Sequence, residues 1–156
     1  MQHQLMFKIL IFAISAFCST AQLIEAINKF RLQNRQEPLK NDEHLTIAAQ
    51  EHADYMKKSN TVTHFSRGKS HTLLDRIQNS KYEHLKNLGQ YVFMTNDDTY
   101  LPAFQEVLRM NEKDKYLLKP FEDIGVALSQ TPSGRTYWAI VFASKFDSSL
   151  IESITN

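Results

Sequence analysis

Residues 136–143 place Trp138, Ile140 and Phe142 on one face and Tyr137, Ala139, Val141 and Ala143 on the other, so a strand here is apolar on both sides. Residues 124–128 precede it across a Thr131-Pro132-Ser133-Gly134 turn, which makes the pair an antiparallel hairpin. A half-solvated sheet would alternate apolar with polar residues. This one does not, and an antiparallel strand that is hydrophobic on both faces must be covered on both. The expected fold is therefore α/β, a three-layer α-β-α sandwich with a mostly antiparallel sheet.

The covering helices are legible from their period. Leu23, Ile24, Ile27 and Phe30 recur at helical spacing and predict a first helix that stops before Pro38. Leu45, Ala48, Ala49, His52, Ala53 and Met56 form one continuous stripe on a second. Asn41 or Asp42 is placed to cap its start, and Lys57 and Lys58 suit its negative end. After an irregular stretch through Thr63, His64, Phe65, Ser66 and Gly68, residues 70–79 carry a shorter helical pattern with Leu73, Leu74 and Ile77. Residues 90–95 (QYVFMT) are rich in strand formers, and Pro102 opens a helix whose Phe104, Val107 and Leu108 give its buried face, with Glu106 on the flank.

The N-terminus reads as an address. Lys8 precedes an apolar run over residues 9–17, too short to span a bilayer, and Ser19 and Ala21 supply the small residues of a signal-peptidase site. The expected organisation is a signal peptide over residues 1–21, one domain over 22–146 and a short tail over 147–156 with a helical turn through Leu150, Ile151 and Ile154. Cleavage after Ala21 takes 21 of the 156 residues and leaves 135, enough for one stable core. It also removes the single cysteine, so the exported domain is held by packing and not by disulfides. The whole chain has 18 basic and 17 acidic residues; loss of Lys8 makes them equal. Bulk charge gives no attraction for nucleic acid or an anionic membrane, and no stable membrane span is expected after cleavage.

Several motifs fall into one order. Asn28-x-x-Arg31 is followed by Pro38-Leu39 and by Leu45-x-x-x-Ala49-x-x-His52-Ala53-x-x-Met56. Next come His64, Asp75-Arg76-Ile77, Tyr82 and Leu88-Gly89-Gln90, then Glu106 and residues 117–121 (LLKPF). Ile124-Gly125-Val126 and Tyr137-Trp138-x-x-x-Phe142 close the set. Over residues 23–145 the chain resembles the CAP superfamily, the SCP-like extracellular domain also found in plant pathogenesis-related proteins and insect venom allergens. Its disulfide-free form looks more like the bacterial and general SCP-like members than the cysteine-rich venom proteins. The resemblance implies an α-β-α sandwich with an open cleft, which many members line with two His and two Glu able to hold a divalent cation such as zinc.

This chain keeps that set in part. His64 matches the first histidine and Glu106 the second glutamate, and these two are the residual metal candidates. Gln90 stands where the resemblance implies a glutamate, and a neutral amide ligates metals poorly. The fourth position depends on where one deletion is placed: counting back from Pro120 puts Lys113 there, and counting back from Ile124-Gly125 puts Glu112 there. The same residues, 111–115 (NEKDK), also read as a solvated charged turn. His52 lies on an apolar stripe and reads as a buried histidine with a satisfied hydrogen bond. Ser66-x-x-Lys69 matches a bare acyl-enzyme motif without its companion signatures and is set aside.

The functional expectation is a secreted, non-catalytic binding module for an extracellular protein partner or, as the resemblance implies, a sterol or fatty acid. No cofactor is required, and a weak divalent cation site survives at most. The alternative, a metal-assisted hydrolase using His64 and Glu106, needs a metal-bound water that the depleted donor set is poorly equipped to hold.

Overall fold

The computed structural model describes residues 2–68 and 71–147. Its elements are α1 (Gln2–Gln33), β1 (Lys40–Asn41), α2 (Glu43–Ser59), α3 (Leu73–Asn79), β2 (Leu85–Thr95), α4 (Tyr100–Asp114), a 3-10 turn (Tyr116–Leu118), β3 (Asp123–Gln130) and β4 (Thr136–Lys145). The strands form one sheet in the order β1-β3-β4-β2. The pairs β3–β4 and β4–β2 are antiparallel, and β1 adds a two-residue parallel pairing to β3, so the sheet is mixed.

Alternation along β4 separates two cores. Trp138, Ile140 and Phe142 pack with Tyr91 and Phe93 of β2, with Leu23 and Ile27 of α1, and with Ala103 and Val107 of α4. Tyr137, Ala139, Val141 and Ala143 pack with Leu45, Ala48, Ala49, Ala53 and Met56 of α2 and Ile77 of α3. Both faces of β4 are thus covered, as its sequence requires. The α2 face is built from alanines and admits close approach. Gly125 marks the closest point: a Cβ there would lie 2.2 Å from the Leu45 carbonyl carbon and 2.3 Å from the Thr46 nitrogen.

Two early motif residues tie α1 to the rest. The Asn28 amide donates to the Leu39 carbonyl at 2.9 Å and accepts from the Leu39 N–H at 2.8 Å, mimicking a strand pairing. Arg31, 1% exposed, donates to the carbonyls of Glu37, Leu117, Lys119 and Phe121. The segment before β3 is therefore wrapped around one guanidinium whose five donors suit backbone oxygens.

Several boundaries differ from the sequence reading. Helix α4 opens at Tyr100, with Pro102 inside its first turn, where a missing N–H costs nothing. The first helix runs unbroken through the expected cleavage point, because nothing between Gln2 and Gln33 is a helix breaker. Strand β2 begins at Leu85 instead of Gln90; Leu85 to Gly89 have weak strand propensity and are held by pairing to β4, with a bulge between Leu85 and Asn87. Helix α3 starts at Leu73, where Thr72 and Asp75 form a reciprocal capping box. Ser70, at the start of the predicted helix, and the tail from residue 148, including the predicted turn at Leu150, lie outside the described residues.

Gly125→Ala is expected to cost about 3 kcal/mol or more, because the obstructing atoms are helix backbone and cannot rotate away. Chemical denaturation of the variant beside the parent measures it.

Candidate functional site

The loop that follows α2 brings the candidate site residues together. Asn60 ends that helix in the left-handed conformation, with φ of 54°. Beyond it the His52 ring, 1% exposed, donates from Nε2 to the Thr63 carbonyl at 2.6 Å and anchors the loop to the helix. His52 Nδ1 has no hydrogen-bond partner among the described residues. The apolar stripe thus carries one polar group, which spends its proton on the loop. Burial, reinforced by the nearby Arg76 charge, lowers the His52 pKa to about 4.

Arg76 of α3 is the hub of the hydrogen bonds here. It is fully buried, and its guanidinium donates to Gln90 Oε1 at 2.7 Å, to the His64 carbonyl at 3.4 Å and to Ser66 Oγ at 3.5 Å. Gln90, 7% exposed on β2, turns its amide nitrogen to His64 Nδ1 at 3.3 Å. With Oε1 committed to Arg76, the amide must donate to His64, so Nδ1 is the unprotonated ring nitrogen and Nε2 carries the proton. His64 is exposed as a residue, but partial desolvation of its ring and then the Arg76 charge lower its pKa, against a smaller upward pull from Asp114. Burial likewise lowers Arg76, to about 10.

The end of α4 adds a carboxylate. Asp114 accepts hydrogen bonds from the Tyr91 hydroxyl and from the Tyr116 N–H. It is the carboxylate whose charge reaches His64. Glu112 and Lys113, the two sequence candidates here, are both exposed. Glu106 lies on the flank of α4, where its Oε2 accepts from Arg109 Nε at 2.9 Å and from its terminal nitrogen at 2.6 Å. The structure thus joins His64 to Gln90 and gives Glu106 a surface partner.

Arg76 and Asp114 are the site residues that sequence reasoning missed. Arg76 was quoted only as a motif member. Asp114 looked like part of a solvated turn, yet the buried Ala103, Val107 and Asn111 lead to it at helical spacing, and that was its available signal.

As a cation site this arrangement fits badly. Among the described residues no three His, Cys, Asp or Glu side chains converge to hold a metal ion. The Gln90 oxygen serves Arg76, and His64 Nδ1 accepts from an amide. Ser66 is buried and bonded to Arg76, while Lys69 lies outside the described residues.

The family model of the cysteine-rich secretory protein family (CAP) matches residues 24–142. Among solved structures, the chain is similar to an extracellular SCP-domain protein of Bacillus anthracis, with a TM-score of 0.73 and 23% identity. That match covers 83% of this chain and 41% of the other, so this chain spans about two fifths of the Bacillus protein. An outer surface protein of Borrelia burgdorferi aligns with a TM-score of 0.72 and 17% identity over 82% of this chain and 93% of that one. The venom allergen-like protein 4 of Schistosoma mansoni aligns with a TM-score of 0.51 and 13% identity over 81% and 86%. No curated protein sequence matches the chain.

A histidine whose folded pKa lies below its unfolded value adds stability that is complete above the unfolded pKa. That contribution is lost as pH falls through the folded one. For His52 the window runs from about 6.5 down to about 4, and the loss approaches about 3 kcal/mol. His64 shifts in the same direction. Urea unfolding across this range should show stability falling with acid, and His52→Gln, which keeps a donor for Thr63, should flatten the slope.

Proposed function

The chain belongs to the cysteine-rich secretory protein (CAP) family, and from that premise we propose that it is a non-catalytic extracellular binding module, exported by residues 1–21, with a degenerate cation site. The observation that carries this reading is the Arg76–Gln90–His64 chain of hydrogen bonds. Where the resemblance implies a carboxylate, an amide joins a buried cation to the histidine, and the polar atoms there are spent on one another. His64 and Glu106 are what remains of the donor set. The extracellular and surface settings of the Bacillus and Borrelia proteins agree with an exported role. No helix among the described residues is long and apolar enough to cross a membrane.

A lipid ligand is favoured by a second feature. Between α1 and α4 lies a groove of about 400 Å³ with Phe30, Tyr100, Leu101, Phe104 and Leu108 in its walls and Lys29 at its side. Leu101 is 58% exposed there. An apolar trough with one cation suits an acyl chain with its carboxylate, and its volume lies in the range of small-molecule sites.

Thermal melting with zinc, calcium or magnesium should leave the midpoint unmoved; a metal-dependent rise that His64→Ala abolishes would sink the degenerate-site reading. Labelled fatty acid should be retained by the protein and released from Leu101→Glu. Failure to retain either fatty acid or sterol would remove the lipid part.

A further inference from the structure

A second groove, of about 700 Å³, lies along the C-terminal end of α2 and the loop behind it, and its lining is of a different kind. Two aromatic side chains, Tyr55 and Phe65, contribute to its walls. Phe65 is 59% exposed and stacks on His71 at 5.8 Å instead of entering either core. Lys58 and Arg67 supply two cations, and no carboxylate is among the described residues that line the groove. Among the described residues neither cation has an acidic side chain within ion-pair distance. Ser59, Thr61 and Thr63 supply hydroxyls. Those of Ser59 and Thr61 give their protons to the Met56 and Ser59 carbonyls, so their oxygens face a ligand as acceptors. Thr63 Oγ1 accepts from the Phe65 N–H and keeps a proton to give.

We propose that this groove binds an acidic saccharide, a chain carrying uronate or sulfate groups. Exposed ring faces match the apolar C–H faces of a pyranose, hydroxyls match its hydroxyls, and two uncompensated cations require anionic substituents. A neutral sugar leaves Lys58 and Arg67 without a counter-charge. A fatty acid has no use for three hydroxyls. An anionic membrane would use the cations, with Val62 and Phe65 inserted, but the surface is a concave, hydroxyl-lined trough, not an apolar ridge. The groove is ready in shape because His52 holds the Thr63 backbone from behind. The inference rests on the reading of the domain as an extracellular binding module and not on the cation or the lipid groove.

The test is isothermal titration calorimetry of the protein with a heparin-derived hexasaccharide, a hyaluronan hexasaccharide, maltohexaose and phosphatidylserine vesicles. At least one acidic hexasaccharide should bind, more weakly as salt rises, and maltohexaose should not. The Lys58→Ala/Arg67→Ala double variant and Phe65→Ala should each weaken binding about tenfold or more. Lys115→Ala, an exposed cation elsewhere, should leave it unchanged. Every substituted side chain is exposed or lines an open groove, and equal melting midpoints show that the variants fold. Silence from both acidic saccharides overturns the proposal, as does equal affinity in the double variant, equal loss in Lys115→Ala, or binding to vesicles alone. None of these outcomes touches the metal and fatty-acid measurements, which read other sites.

Discussion

A strand that is dry on both faces is the constraint from which the structure follows. From Thr136 to Ser144 every residue of β4 is buried, and the large ones, Trp138, Phe142 and Tyr137, each gain roughly 1.5–3 kcal/mol by leaving water. That gain is collected only if helices lie above and below the sheet. The two layers meet it differently. Aromatic side chains fill the α1–α4 side, where Tyr91, Phe142, Phe121 and Tyr116 stack and cross. On the other side alanines let α2 approach until Gly125 touches its backbone. With the only cysteine at position 18, no disulfide braces residues 22–156; Asn28 fastens α1 to Leu39 just before β1, and Arg31 fastens it to the segment that leads into β3.

The candidate site is a consequence of the same arrangement. Because α2 lies flat on small side chains, His52 is carried into the interior with Ala49 and Ala53. Its proton is used to hold the loop that presents His64. Arg76 follows Asp75 of the capping box, so the interaction that starts α3 also sets the guanidinium beneath that loop. The candidate site and the fold therefore share residues here: the polar seam between α3, β2 and the loop belongs to both.

What could be read in advance follows from how each signal is generated. Alternation in β4 and the 3.6-residue stripe of α2 are local repeats, and the structure reproduces both down to the face. The ordered motifs pointed to the family. Strand β2 before Gln90 was illegible because its residues are held by partners on β4, not by their own preferences. Arg31 and Arg76 have no role legible in the motifs that hold them, since a cation in a helix ordinarily belongs at the surface and only tertiary carbonyls and amides justify its burial. Asp114 was hidden within four charged or polar neighbours. The positions of His64 and Gln90 were legible, but their mutual bond was not, because a sequence shows which residues are present and not which way an amide is turned.

That orientation decides the electrostatics. Had residue 90 been a carboxylate, it would have met Arg76 as a charge-assisted pair and left the site nearly neutral or negative. An amide conducts the hydrogen bond and brings no charge. Desolvation and then the positive field of Arg76 make the His64 imidazole less basic, and Asp114 offsets them only in part. An amide at position 90 therefore keeps the hydrogen bonds that join Arg76 to His64 while bringing no charge to offset the guanidinium.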